Sequence, residues 1–194
     1  MVGFTADQQR ANAANRTAAT AAFLVPTASR PHRGEHKVND RYTELLERLR
    51  GVIDGSGEAA ARLEAVCALL AEGIDHFDWV GFYLVSPDEP DTLVLGPYVG
   101  EPTEHTRIAF GAGVCGRAAL ERATIEVPDV RAESNYLSCS LAVRAEIVLP
   151  LHHDGEFVGE LDIDSHSPDP FTPDDRALLD ALARLCGPPA TAAR

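Results

Sequence analysis

Apolar residues first recur at helical spacing at Tyr42, Leu45, Leu46 and Leu49, positions that share one face of a helix. Asp54-Gly55-Ser56-Gly57 breaks this pattern. A second helix is predicted over 58–75, with Leu63, Val66, Cys67 and Leu70 on one stripe. The period then shortens. Strands are predicted over 79–85, 92–95 and 107–110, the first two separated by the turn-forming residues 86–91. Gly111-Ala112-Gly113 leads into a short helix over 114–121. Further strands are predicted over 125–127, 145–151 and 157–164, the last two joined by the tight-turn sequence His153-Asp154-Gly155. A final helix opens at Thr172-Pro173-Asp174-Asp175, with Thr172 as cap, Pro173 in first position and Asp175 in third. Its stripe is Leu178, Leu182, Leu185 and Cys186. This order predicts an α+β fold: a central antiparallel sheet, helices packed on one face, and a ligand pocket on the other beneath the helical insertion.

The pattern divides the chain of 194 residues into a domain over 40–188, a polar N-terminal tail over 1–39 that is expected to be disordered, and a short C-terminal tail over 189–194. A net charge of −13 argues against nucleic acid as a partner. No apolar run is long enough to span a membrane, and residues 1–10 do not resemble a secretory signal, so a cytoplasmic protein is expected. The four cysteines, Cys67, Cys115, Cys139 and Cys186, form no CxxC pair, which argues against a zinc knuckle or a disulfide framework.

Chemistry concentrates on the strand over 157–164. Alternation sends Phe157, Gly159, Leu161 and Ile163 toward the helices and Glu160, Asp162 and Asp164 to the opposite face. Pairing across the tight turn brings Glu146 of the preceding strand beside or near Asp164. Carboxylates so close resist joint ionisation unless a cation sits among them, and the ammonium of a small zwitterion is one such cation. A solvated acidic face and a divalent-metal site are the alternatives, although no metal-loop motif is present. Trp79 and Tyr83 share a strand face and suit either a core or the wall of a pocket for a methyl or thioether group. Cys67 and Cys186 lie on helix stripes, as small buried hydrophobes do. Cys115 sits at a helix start, where the dipole favours a thiolate, and Cys139 sits in the polar stretch Ser134–Ser140.

Trp79-Val80-Gly81-Phe82-Tyr83, Leu95-Gly96-Pro97, Gly113-Val114-Cys115-Gly116, Glu146–Leu151 and Leu161-Asp162-Ile163-Asp164-Ser165 together resemble free methionine-(R)-sulfoxide reductase, a GAF-fold enzyme. The resemblance covers about 42–186. It implies that Cys139 is the catalytic thiol, passing through a sulfenic acid, and that Cys115 has a secondary role in the same region. It implies that Glu146, Asp162 and Asp164 hold the substrate ammonium and polarise the sulfoxide, and that Trp79 and Tyr83 wall the methyl-sulfur pocket. It also implies thioredoxin or a low-molecular-weight thiol as reductant, no cofactor and no metal, and the dimers common in the family. One position departs from the pattern: where the family usually has a resolving cysteine, ten residues before Cys115, this chain has His105. A sensor that keeps the pocket but turns over little is therefore the alternative function.

Overall fold

The computed structural model describes residues 40–89, 91–132 and 142–194. The expected tail over 1–39 lies outside them. Two helices, α1 (Asp40–Ile53) and α2 (Ala59–Gly73), precede strands β1 (Trp79–Val85), β2 (Thr92–Val99) and β3 (Arg107–Ala109). Helix α3 (Gly113–Glu121) and β4 (Ile125–Val127) follow, then a 3-10 turn at Val130–Ala132. The chain ends with β5 (Ala145–His153), β6 (Glu156–Ser165) and α4 (Pro173–Ala193). All strand pairs are antiparallel, in the order β3-β2-β1-β6-β5-β4.

Alternation sorts the side chains onto two faces. Val80, Phe82 and Leu84 of β1, Ala145, Ile147, Leu149 and Leu151 of β5, and Leu161 and Ile163 of β6 meet the stripes of α1, α2 and α4 in one apolar core. Cys67 and Cys186 lie within it, fully buried as expected. Burial pushes both thiols up, that of Cys186 to about 12. A smaller cluster on the opposite face joins Trp79, Tyr83, Val114, Cys115, Val127, Val148 and Phe157, with α3 as its cover.

Asp175 fastens α4 to the rest. Thr172 and Asp175 form a reciprocal capping box behind Pro173. Asp175 also accepts from Tyr42 Oη at 2.7 Å and lies 3.0 Å from His76 Nε2. Burial pushes its carboxyl up, but bonds from Thr172 and Tyr42 and the neighbouring His76 outweigh that and hold it below the usual range.

Three expectations need correction. Strand β2 extends to Val99, because Gly81↔Tyr98 and Val80↔Val99 pairing with β1 continues past Leu95. Phe157 faces α3 rather than the helical core. Between Leu151↔Gly159 and His152↔Phe157 the ladder gains one residue, Val158, and this bulge reverses the alternation, with Gly159 at φ +154°. Residues 189–193, expected as tail, continue α4 through Pro188 and Pro189, and Ala190 is fully buried.

Candidate active site

The face under α3 is built on the register of β6 with its two neighbours. Asp164 pairs with Glu146 on β5 and with Trp79 on β1. Asp162 pairs with Val148 and Gly81, and Glu160 with Pro150 and Tyr83. The Glu146–Asp164 pair was expected, and two features set it: a two-residue turn of the type I′ class, with Asp154 and Gly155 at positive φ of 51° and 82°, and the one-residue bulge at Val158, without which Glu146 would lie opposite Ile163.

All four carboxylates are buried, none more than 4% exposed. The solvated acidic face is thereby excluded. Among the described residues, both oxygens of Glu160, both of Asp164 and Asp162 Oδ1 have no hydrogen-bond partner. Cys115, in the first turn of α3, points its thiol at the others: Sγ lies 3.5 Å from Glu146 Oε1 and 3.4 Å from Asp162 Oδ2. A thiol has one proton, so it donates to only one of these acceptors at a time.

The electrostatic result is uniform. Burial, then Asp162 and Asp164, push the Glu146 carboxyl well up. Burial and Asp162 do the same to Glu160, and burial, Asp162 and Asp78 to Asp164. Burial outweighs the thiol bond at Asp162 and pushes it up to about 7. The site stores protons and favours a cation.

An aromatic wall stands beside the carboxylates. Trp79 stacks on Tyr83 with centroids 6.3 Å apart and on Tyr98 at 5.4 Å. The indole N–H donates to Glu101 O at 3.1 Å, and the Tyr83 hydroxyl to His105 O at 2.9 Å. The Trp79 ring lies over Gly81, where a Cβ would come within 2.2 Å of it. His105 is thereby tied to the wall, and with Val114, Cys115 and Glu146 it lines a small cavity at the edge of the site.

The structure thus brings together Trp79, Tyr83, Cys115, Glu146, Asp162 and Asp164. Cys139 lies outside the described residues. The residues on either side of its segment are anchored near the carboxylates: Val130 N donates to Arg144 O at 2.8 Å, Arg144 pairs with Asp129 at 3.1 Å, and Arg144 N donates to Ser165 O at 2.7 Å. Three site residues were not singled out from the sequence. Glu160 was placed on this face but not in the site, since alternation reveals direction and not burial. Tyr98 was missed because β2 was ended too early, and Gly81 because its role is the space it leaves.

These features agree with the comparisons with known proteins. The chain is 37% identical over 145 residues to the free methionine-R-sulfoxide reductase of Escherichia coli, covering 74% of this chain and 86% of that protein. A GAF-domain model matches residues 58–187. The chain belongs to the free methionine-R-sulfoxide reductase family of GAF domains. It superposes on the Neisseria meningitidis member, solved in complex with its substrate, with a TM-score of 0.73 and 38% identity, covering 80% of this chain and 93% of that one. The Dictyostelium discoideum GAF domain-containing protein A is 40% identical over 146 residues, covering 75% of this chain and 90% of that protein. The relatives that carry the reductase name are oxidoreductases acting on methionine sulfoxide. No helix among the described residues is long and apolar enough to cross a membrane.

Proposed function

We propose that this chain reduces free L-methionine-(R)-sulfoxide to methionine with Cys139 as nucleophile. The observation that carries the reading is the group of four buried carboxylates, five of whose oxygens lack partners among the described residues, beside a stacked aromatic wall. Such a group accepts an ammonium strongly, because the alternative is unpaired charge in a low dielectric. Glu146, Asp162 and Asp164 bind the substrate ammonium, and Trp79 and Tyr83 enclose the methyl-sulfur end.

One carboxyl of the group, kept protonated by the burial that pushes all four up, donates to the sulfoxide oxygen while the others pair with the ammonium. The Cys139 thiolate attacks the sulfoxide sulfur. The protonated oxygen passes to Cys139 as a sulfenic acid, and methionine leaves with its sulfur reduced by two electrons. A second thiol condenses with the sulfenic acid to a disulfide and releases water. Cys115 or an external thiol, thioredoxin or a small one, fills that role where His105 stands in place of a cysteine. A further thiol reduces the disulfide.

The test is turnover of free L-methionine-(R)-sulfoxide by the purified chain, first with dithiothreitol and then with a thioredoxin system. Turnover with either is expected, lost in Cys139→Ser while methionine binding remains. Absence of turnover with both reductants, despite measurable binding, overturns the reading in favour of a sensor.

A further inference from the structure

The donors gathered at this buried face include a sulfur as well as carboxylate oxygens. Cys115, Glu146 and Asp162 each offer one ligand atom, all within 4.8 Å of one another. We propose that these three residues bind a divalent cation of the zinc class, with His105 at the mouth, and that the cation and the amino-acid substrate exclude each other there.

The geometry supports this directly. Zinc–sulfur bonds of about 2.3 Å and zinc–oxygen bonds of about 2.0 Å give a tetrahedral S···O edge of about 3.5 Å. The two S···O distances here are 3.4 and 3.5 Å. The third pair, between the two carboxylates, lies within 4.8 Å, against an edge of about 3.3 Å for two zinc–oxygen bonds in a tetrahedron, so these side chains must move to close on the ion. The mixed thiolate and carboxylate set suits a borderline-soft ion such as Zn²⁺ better than magnesium or calcium, which take oxygen alone.

An independent observation points the same way. Asp162 is fully buried, and its second oxygen, Oδ1, has no partner among the described residues. Neither has either oxygen of Glu160, also fully buried on the same face and close enough to feel the Cys115 thiol. These oxygens are buried with no partner among the described residues, and a divalent ion would supply one. His105 lines the cavity that Cys115 and Glu146 share. Histidine is a common zinc ligand, so the residue type at this edge suits the ion. On binding, the ion displaces the Cys115 thiol proton to solvent and forms a sulfur–metal bond, with no change in oxidation state. The metal site stands apart from the catalytic reading; only the mutual exclusion rests on it.

The test uses the full chain, reduced and stripped of metal. It is titrated with Co²⁺ and then Zn²⁺, followed by absorption and calorimetry. One Co²⁺ per chain is expected, with a thiolate-to-cobalt charge-transfer band that Zn²⁺ abolishes. Cys115→Ser and Cys115→Ala, each checked for native circular dichroism, lose the band. Asp162→Asn weakens Zn²⁺ binding about tenfold or more. Saturating methionine, which binds without turnover, lowers apparent Zn²⁺ affinity to a similar degree. No band, or a band of equal strength in the Cys115 variants, overturns the site. Methionine that binds the metal-free chain yet leaves Zn²⁺ affinity unchanged overturns the exclusion. Every readout is independent of turnover, so a failed reductase assay leaves the metal result standing.

Discussion

Cys115 Sγ lies 3.4 Å from Asp162 Oδ2, a thiol from the first turn of α3 set against a carboxylate in the middle of β6. The contact joins the cover of the site to its floor. Asp162 is wholly buried and Cys115 is 5% exposed, so bulk water screens the pair little. Substitutions here separate binding from stability.

Asp162→Asn removes a buried charge, one of whose oxygens has no partner among the described residues. It should raise stability at pH 8 by about 1–2 kcal/mol in urea denaturation. The same variant should bind methionine about ten- to a hundredfold more weakly, because an amide cannot pair with an ammonium as a carboxylate does. Unchanged affinity by calorimetry would remove Asp162 from the ammonium site. Glu146→Gln should follow the same pattern.

The pH dependence of stability has a definite sign. The Asp162 carboxyl ordinarily titrates at 3.8, and in the folded protein at about 7. Between these values the unfolded chain has released a proton that the folded chain retains. This contribution to stability is therefore complete below about pH 4 and is lost as pH rises through about 7. Urea titrations at pH 5 and pH 8 should show a larger fall for the parent chain than for Asp162→Asn. Equal falls would mean that Asp162 is not the titrating group.

Asp175 holds α1, α4 and the turn at His76 together through Tyr42, Thr172 and His76. Asp175→Ala leaves the Tyr42 hydroxyl and the Thr172 cap without their partner. It should cost about 2–4 kcal/mol in chemical denaturation. Asp175 lies in the helical layer, on the face opposite the carboxylates, so kcat measured well below the melting temperature should hardly change.

Gly81→Ala places a methyl where the Trp79 ring now lies, 2.2 Å from its nearest atom. Either the ring or the strand must move, at a cost of about 1–3 kcal/mol. Trp79 is the only tryptophan of the chain, so its emission reports the displacement without interference. A shifted emission maximum and a KM for the sulfoxide raised about tenfold are expected. An unchanged KM would show that the wall does not touch the substrate.

Much of this architecture was legible in the order of residues. Period-two alternation placed Glu160, Asp162 and Asp164 on one face and Leu161 and Ile163 on the other, because strand geometry ties direction to parity. The cap at Thr172 was equally plain, because capping is a local hydrogen-bond pattern. Phe157 escaped because a bulge adds a residue without marking the sequence strongly, and everything beyond it changes parity.

What the sequence by itself determined was therefore the identity and direction of the groups: which carboxylates share a face, which aromatics accompany them, and which cysteines belong to helix stripes. What only the tertiary structure decided was their surroundings. Alternation cannot distinguish an acidic face in water from one under a helix, and only the docking of α3 removes Glu160 from solvent and brings Cys115 over Glu146 and Asp162. A pKa, and with it the chemistry of the site, depends on what excludes water from a group, and that is a property of distant segments meeting in space.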